Sequence, residues 1–205
     1  VCSSDLEIAQ LAEKIQQKMP QPNHPDELPV LPHCAQKPHQ DCKILIIGAS
    51  GFIGKRLFTG LMKHNKSVRA IVRNPSALIG ISLNDTSEII IGDFRDKELM
   101  QQALQGIDTV YHLAVAHSNS LSGYLRVDSE PTLRLAEMCL DMGIKRFVYT
   151  GTIDSLYLGP NAGLVQDQDG VDKVIKRRNN YAHSKAITEG DRKSTRLNSS
   201  HQIIS

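Results

Sequence analysis

The sequence predicts an α/β protein with a doubly wound parallel sheet. Three observations carry this prediction: short apolar runs alternate with helical stretches from Lys43 onward, the runs are apolar at nearly every position, and a glycine-rich turn joins the first run to the first helix. Strands that are apolar on both sides belong to sheets covered on both faces, and right-handed crossovers place the helices there.

Five segments have the length and composition of buried strands. They are KILIIG (43–48), SVRAIVR (67–73), EIIIGD (88–93), DTVYHLA (108–114) and KRFVYT (145–150). Short apolar runs bounded by turn residues are typical of strands in a sheet interior. We therefore expect these five segments to pair as parallel strands.

Apolar residues recur at helical spacing between the predicted strands. The apolar faces comprise Ile53, Leu57, Phe58, Leu61 and Met62 in the first helix, Leu99, Ala103 and Leu104 in a later one, and Leu135, Ala136, Cys139 and Leu140 in the next. Cys139 is therefore predicted to be a core residue rather than a reactive thiol.

Residues 7–42 differ in composition from this alternating region. Residues 7–19 carry apolar residues at helical spacing, and the stretch from Pro20 to Asp41 contains six prolines. We interpret residues 7–42 as an amphipathic helix and a semi-extended linker from an upstream region, with fusion to an upstream domain. His33, Cys34, His39 and Cys42 match no established zinc spacing, so no metal site is predicted.

The overall composition favours a small-molecule ligand. Lys and Arg number 24 against 22 Asp and Glu, a formal charge of +2, which gives no electrostatic reason to expect nucleic acid or an anionic membrane as partner. No apolar run approaches the ~20 residues of a membrane-spanning helix. The four cysteines form no disulfide framework. We expect a cytoplasmic protein.

The motif GASGFIG follows the first predicted strand directly. Glycines at 48, 51 and 54 allow a sharp turn into a helix and let the helix amides approach a pyrophosphate closely. The motif thus predicts a dinucleotide site, although its G-x-x-G-x-x-G spacing is one residue longer than the usual G-x-G-x-x-G, and a purely structural turn is the alternative. The predicted loop contacts are Gly48, Ser50, Gly51, Phe52, Ile53 and Gly54.

Arg73 ends the second predicted strand, where the residue that reads the ribose of a dinucleotide belongs. A carboxylate there would accept the 2′-hydroxyl of NAD, whereas a guanidinium pairs with the 2′-phosphate of NADP. We therefore expect NADP as the preferred cofactor, with NAD as the alternative. The other interpretation of Arg73 is a solvent-facing arginine at a strand end.

In order and spacing, GASGFIG, GDFRD, ALQGIDTVYHLAV, RFVYTGT and YAHSK resemble the extended short-chain dehydrogenases/reductases of the NAD-dependent epimerase/dehydratase family. The resemblance covers residues 43–190, and VRAIVRNP is similar to the NADP-using carbonyl reductases of the family. It implies a Rossmann-type fold without its last strands and substrate lobe. It also implies hydride transfer at a hydroxyl or carbonyl carbon of a sugar nucleotide or similar substrate. Epimerases, dehydratases and reductases of the family share this cofactor-binding half, so the resemblance does not choose among them. It also leaves a homodimer open.

The family resemblance also implies roles for individual residues. Asp93 and Phe94 would contact adenine, and Leu113, Ala114 and Val115 would line the wall beside the cofactor. Thr152, Tyr181 and Lys185 would form the catalytic triad, with Tyr181 and Lys185 also contacting the cofactor. Tyr181 and Lys185 are four residues apart and share a helix face, so we expect the ammonium to lower the pKa of the phenol.

Two positions depart from the family's N-x-x-G-T pattern. Asp128 stands where the pattern has asparagine, and Pro131 where it has glycine. Proline is tolerated in the first turn of a helix, whereas a carboxylate at position 128 is less suited than a neutral amide to organise a proton-relay water. The alternative to an enzyme is a non-catalytic NADP-binding sensor or scaffold on the same fold. Such proteins typically lose the tyrosine or the lysine, and this sequence keeps both.

The two ends of the chain resemble a sequencing oligonucleotide. DRKSTRLNSSH back-translates to a widely used short-read adapter, and VCSSDL translates from its reverse complement. We therefore expect residues 1–6 and 191–205 to be artefact, and residues 7–190 to be a fragment that lacks turnover by itself.

Overall fold

A computed structural model of the chain describes residues 42–64, 66–78, 87–156, 171–172 and 174–194. The predicted N-terminal helix, most of the proline-rich linker with His33, Cys34 and His39, and the terminal segments 1–6 and 195–205 lie outside these residues. The boundaries predicted for those regions stay predictions. Within the described part of the chain, no helix is long and apolar enough to cross a membrane.

Five parallel strands form one sheet, as the sequence predicted. They are β1 (Ile44–Ile47), β2 (Val68–Val72), β3 (Glu88–Ile91), β4 (Thr109–His112) and β5 (Arg146–Tyr149). Their order across the sheet is β3-β2-β1-β4-β5, and each strand lies inside the segment predicted for it. From β1 the chain adds β2 and β3 on one side of the sheet, and it then adds β4 and β5 on the other side. The direction in which strands are added therefore changes between β1 and β4.

Helices connect β1 to β2, β3 to β4 and β4 to β5. The described helices are α1 (Phe52–Lys63), α2 (Lys97–Ala103), α3 (Leu121–Tyr124), α4 (Glu130–Asp141) and α5 (Asn180–Ser194). A π-helical turn, Leu125–Ser129, joins α3 to α4, and short 3₁₀ turns span Pro75–Leu78, Ile153–Ser155 and Ile175–Arg177. The Asp96 side chain caps α2 by accepting hydrogen bonds from the amides of Glu98 and Leu99.

The sheet is covered on both faces by separate apolar clusters. On one face, Phe58 and Met62 of α1 pack against Ile46, Val68 and Ala70. On the other, residues of α2 and α4 pack against β1, β4 and β5; they include Leu45, Ile47, Met100, Ala103, Leu135, Cys139 and Phe147. This arrangement confirms the doubly wound architecture. Cys139 lies in the core as predicted, and burial raises the pKa of its thiol to about 12.

One detail of the predicted core is wrong. Ile53 was assigned to the apolar face of the first helix, but its side chain is 59% exposed. It lies in the first turn of α1, where Gly54 rather than Ile53 faces the glycine loop. Phe58 and Met62, one and two turns later, carry the burial of this helix instead.

Arg69 is fully buried in β2, a feature that the sequence analysis did not predict. Its Nε atom donates a 2.7 Å hydrogen bond to Glu88, the neighbouring residue on β3. Its Nη1 atom donates to the carbonyl oxygens of Ala103 and Gln105, at 2.6 and 2.9 Å. Since helix carbonyls at a C-terminus have no intrahelical partner, Arg69 ties β2 and β3 to the end of α2.

Candidate active site

A crevice opens at the carboxyl ends of β1 and β4, where the strand order reverses. In doubly wound sheets, ligands bind at this topological switch point. Loops that follow β1, β2, β3 and β4 all contribute to the lining. The lining residues are Ile47, Gly48, Ser50, Gly51, Ile71, Val72, Arg73, Gly92, Asp93, Phe94, Arg95, Leu113, Ala114, Val115 and Ala116.

Gly48 and Gly54 bring the backbone together at the floor of the crevice. Gly48 has a φ of +89°, and a Cβ there would lie 2.7 Å from the Ala114 amide nitrogen. At Gly54, a Cβ would lie 2.9 Å from Ala49 Cα and closer still to the Gly48 carbonyl oxygen. The two positions therefore require glycine, one for close approach to β4 and one for packing of α1 on the loop.

Most of the residues predicted to hold a cofactor line this crevice. Gly48, Ser50, Gly51, Arg73, Asp93, Phe94, Leu113, Ala114 and Val115 do so. Gly54 is buried beneath the loop, and Phe52 and Ile53 begin α1 with side chains exposed to solvent. Among the lining residues that were not predicted, Arg95 is the charged one.

Asp93 and Arg95 form a two-point ion pair at the rim of the crevice. The Arg95 Nε and Nη2 atoms donate to the two Asp93 carboxylate oxygens at 2.9 and 2.6 Å, and the Arg95 amide also donates to Oδ1. The Arg95 guanidinium lowers the pKa of the Asp93 carboxyl, and the nearby Arg73 charge adds to this effect. Two guanidinium groups and the Asp93 carboxylate thus line the end of the crevice formed by β2 and β3, which leaves a net positive charge there.

Thr152 follows β5 and begins the 3₁₀ turn Ile153–Ser155. Its hydroxyl accepts a 3.3 Å hydrogen bond from the Asp154 amide, and its side chain is half-buried. At the preceding residue, a Cβ on Gly151 would run into the Glu189 carboxylate of α5. This close approach brings the Thr152 segment beside the helix that carries Tyr181 and Lys185.

Tyr181 lies in the first turn of α5, and its ring packs against the Tyr124 ring with centroids 6.0 Å apart. The Lys185 Nζ atom lies 5.7 Å from the centroid of the Tyr181 ring. The predicted helical spacing therefore does bring the lysine near the phenol ring.

Lys185 itself is engaged in a fully buried polar cluster with Asp128 and Tyr149. Its Nζ atom donates a 2.8 Å hydrogen bond to the Tyr149 hydroxyl oxygen and lies 3.1 Å from Asp128 Oδ2. That second contact is a buried ion pair. The other Asp128 oxygen, Oδ1, accepts a 3.0 Å hydrogen bond from the Ala116 amide. The side chains of Asp128 and Lys185 are both 0% exposed.

The expected lowering of the Tyr181 pKa is not found in this arrangement. The pKa of Tyr181 is raised, first by burial and then by the negative charge of Asp128. Burial lowers the pKa of Lys185, and the Asp128 carboxylate works against that effect. Burial and the Asp128 carboxylate together outweigh the effect expected of the Lys185 ammonium on the Tyr181 pKa.

His112 lies in the same buried region, at the end of β4. Its Nε2 atom and the Thr132 hydroxyl are 2.9 Å apart, and its ring packs against Phe94 and Tyr149. Burial, followed by the charge of Lys185, lowers the pKa of His112 to about 3. The imidazole is therefore neutral near pH 7.

The run of basic residues before α5 lies mostly at the surface. Lys176 and Arg177 are exposed, whereas Arg178 is half-buried and forms a 2.9 Å ion pair with Asp172. Among the residues that the structure describes, no group of three or more His, Cys, Asp or Glu side chains is arranged to hold a metal ion.

The crevice has the shape and donors that a dinucleotide requires. Glycine at position 48 lets the glycine loop pack directly against the Ala114 backbone, which places the loop at the floor of the crevice. The N-terminus of α1 faces the glycine loop and is uncapped by any side chain, which leaves its amides free to bind phosphate oxygens. The residues present therefore fit a dinucleotide.

A sequence model of the NAD dependent epimerase/dehydratase family matches residues 44–198 of the chain. A curated relative, the 3-beta-hydroxysteroid dehydrogenase of Mycolicibacterium neoaurum, is 27% identical over 156 residues, which are 72% of this chain and 41% of that protein.

Solved structures show the same fold. The UDP-Glc/GlcNAc 4-epimerase of Campylobacter jejuni has a TM-score of 0.67 at 19% identity, over 78% of this chain and 52% of that one. MoeE5 in complex with UDP-glucose and NAD has a TM-score of 0.62 at 25% identity, with the same coverage of both chains. The chain thus spans about half the length of the proteins that it matches.

Proposed function

The chain belongs to the NAD-dependent epimerase/dehydratase family, and we propose that its crevice binds a nicotinamide dinucleotide, with NADP preferred over NAD. We further propose that Thr152, Tyr181 and Lys185 serve hydride transfer at a hydroxyl or carbonyl carbon of a small-molecule substrate. The observation that carries the proposal is the crevice at the switch point, with Gly48 pressed against Ala114.

Different residues of the crevice would bind different parts of the cofactor. The amides at the start of α1 would hold the pyrophosphate, as helix N-termini do for anions. Arg73, on the rim of the crevice after β2, would bind the 2′-phosphate of NADP. Leu113, Ala114 and Val115 would form the apolar wall beside the cofactor. When bound, the cofactor accepts or supplies a hydride.

The catalytic residues would transfer a proton to or from the substrate oxygen and hold that oxygen in place. Tyr181 would exchange a proton with the reacting oxygen as general acid or base. The Thr152 hydroxyl would donate a hydrogen bond to the same oxygen and so stabilise the charge that develops there. Lys185 would act on Tyr181 through its positive charge, and it would bind the cofactor if its ammonium leaves the buried cluster.

The proposed substrate is defined only by its reacting group, a hydroxyl or carbonyl carbon. The relatives include a 3-beta-hydroxysteroid dehydrogenase as well as MoeE5 solved with UDP-glucose and NAD. A sugar nucleotide is therefore one candidate substrate and a hydroxysteroid another. A cytoplasmic location without nucleic-acid or membrane partners, and a homodimer or a fusion to an upstream domain, belong to the same proposal.

Replacing Arg73 with alanine should weaken NADPH binding by about 10-fold or more, because a charged hydrogen bond to the 2′-phosphate contributes about 1.5–3 kcal/mol. NADH has no 2′-phosphate, so its affinity should change little. Both affinities can be measured by titrating the nicotinamide fluorescence. Arg177→Ala is the matched control, since Arg177 is exposed and lies outside the crevice lining. Tighter binding of NADH than NADPH by the native chain, or NADPH affinity unchanged in Arg73→Ala, would contradict the assignment of Arg73.

A further inference from the structure

The buried ion pair between Asp128 and Lys185 lies close to the proposed catalytic tyrosine, with the Lys185 Nζ atom 5.7 Å from the centroid of its ring. We propose that Asp128 is a positioning residue that cancels the charge of Lys185 and thereby sets how readily Tyr181 releases its proton. This inference rests on the proposed function of Tyr181 as general acid or base, and it assigns a role to the carboxylate that stands where the family pattern has asparagine.

The geometry places both charges out of solvent. Asp128 Oδ2 and Lys185 Nζ are 3.1 Å apart, and both side chains are 0% exposed. Opposite charges this close act on a more distant group almost as a dipole, whose field is weaker than that of either charge alone. Water does not screen either charge, so each one acts on the Tyr181 hydroxyl at full strength. The two effects offset each other only while both charges are present.

Two further contacts fix the pair in place. The Ala116 amide donates to Asp128 Oδ1 at 3.0 Å, so the second carboxylate oxygen is free to face the ammonium. On the opposite side, the Tyr149 hydroxyl oxygen accepts a hydrogen bond from Nζ at 2.8 Å, and the Tyr149 ring centroid is 4.5 Å away. These partners hold the ammonium on the inner side of the site.

The helix around Asp128 is itself unusual. Asp128 belongs to the π-helical turn Leu125–Ser129, and Pro131 follows within the first turn of α4. Proline has no amide hydrogen for the preceding turn, and π-helical turns are frequent at functional sites. The two departures from the family pattern, Asp128 and Pro131, therefore occur in one local feature that places a carboxylate inside the site.

The charged and titratable groups that face Tyr181 come from five elements. They are Tyr124 of α3, Asp128 of the π-helical turn, Tyr149 of β5, Asp154 of the 3₁₀ turn after β5, and Lys185 and Glu189 of α5. Among the charges that raise the pKa of Tyr181, Asp128 acts most strongly after burial. An asparagine at this position would leave Lys185 as an uncancelled cation and favour the phenolate.

A pH titration of phenolate absorbance tests the inference without substrate or cofactor. The chain contains five tyrosines, so subtracting the titration of the Tyr181→Phe variant isolates the midpoint of Tyr181. In Asp128→Asn, we expect that midpoint to fall by about one pH unit, measured against the corresponding Asp128→Asn/Tyr181→Phe variant. Asp154→Asn is the matched control, because Asp154 also faces Tyr181 but is exposed, and solvent screening should make its shift clearly smaller. Equal shifts in the two variants, or no shift in Asp128→Asn, would overturn the inference.

If Asp128→Asn does not fold, the double variant Asp128→Asn/Lys185→Met provides a second test of the same inference. It removes both buried charges together, which proteins tolerate better than the loss of one partner. If the two charges cancel, Tyr181 in the double variant should titrate within about half a pH unit of the native protein. A displacement of about one unit or more would contradict the proposed cancellation.

NADPH titration of the same variants separates this inference from the proposed function. A shifted Tyr181 midpoint in a protein that binds no nicotinamide dinucleotide would refute the proposed function alone. Normal NADPH binding with an unshifted midpoint in Asp128→Asn would refute the role of Asp128 alone.

Discussion

Replacing Arg69 with methionine should lower the free energy of unfolding by about 3–5 kcal/mol, the range found when one partner of a buried ion pair is removed. Methionine fills a similar volume but leaves Glu88 without the guanidinium that pairs with it at 2.7 Å. It also removes the donor to the carbonyl oxygens of Ala103 and Gln105. Urea unfolding followed by circular dichroism measures the loss, with the slope of the transition as the check on two-state behaviour.

Arg146→Met is the matched control for this change. Arg146 also lies in a strand, β5, but its side chain is exposed. Surface substitutions usually change stability by about 0.5 kcal/mol or less. If the two variants lose similar stability, the buried network of Arg69 does not contribute as described.

Replacing Gly54 with alanine should also destabilise the protein, by about 2 kcal/mol, although alanine is the better helix former. The new Cβ would lie 2.9 Å from Ala49 Cα and closer still to the Gly48 carbonyl oxygen. Both of these are backbone atoms, so α1 must shift away from the glycine loop. The same shift would disturb the amides proposed to bind phosphate, so NADPH affinity should fall together with stability.

The same substitution at Gly60 should have the opposite sign. Gly60 lies in α1, and a Cβ there would have no neighbouring atom within 4 Å. Gly60→Ala should therefore stabilise the protein by up to about 1 kcal/mol through helix propensity alone. Thermal unfolding of both variants measures the contrast, and a Gly54→Ala protein as stable as Gly60→Ala would show that α1 does not need glycine at its first turn.

Local sequence patterns were sufficient to predict the sheet and the crevice. Each of the five strands is an apolar run with turn residues at its ends, and GASGFIG marks the one connection where close backbone approach is needed. Such features depend on residues adjacent in the chain, so periodicity and glycine spacing reveal them. The position of Arg73 followed because it ends a predicted strand, whereas the roles of Asp93 and Ala114 followed from the family resemblance.

The buried charges could not be predicted in this way. Arg69 and Glu88 meet across neighbouring strands, and Lys185 contacts Tyr149 and Asp128 from distant parts of the sequence. Pairing of this kind depends on strand register and helix packing, which no local pattern encodes. One signal was present in the sequence: Asp128 departs from the family pattern beside the triad, and the structure shows its partner.

Hydrogen exchange of the native chain with and without NADPH tests the central claim most directly. The account predicts that NADPH slows exchange in residues 48–54, 71–73, 92–95 and 113–116, the segments that form the crevice and the start of α1. Unchanged exchange in all four segments at saturating NADPH, in a protein shown to be folded, would contradict the assignment of the crevice as a nicotinamide dinucleotide site.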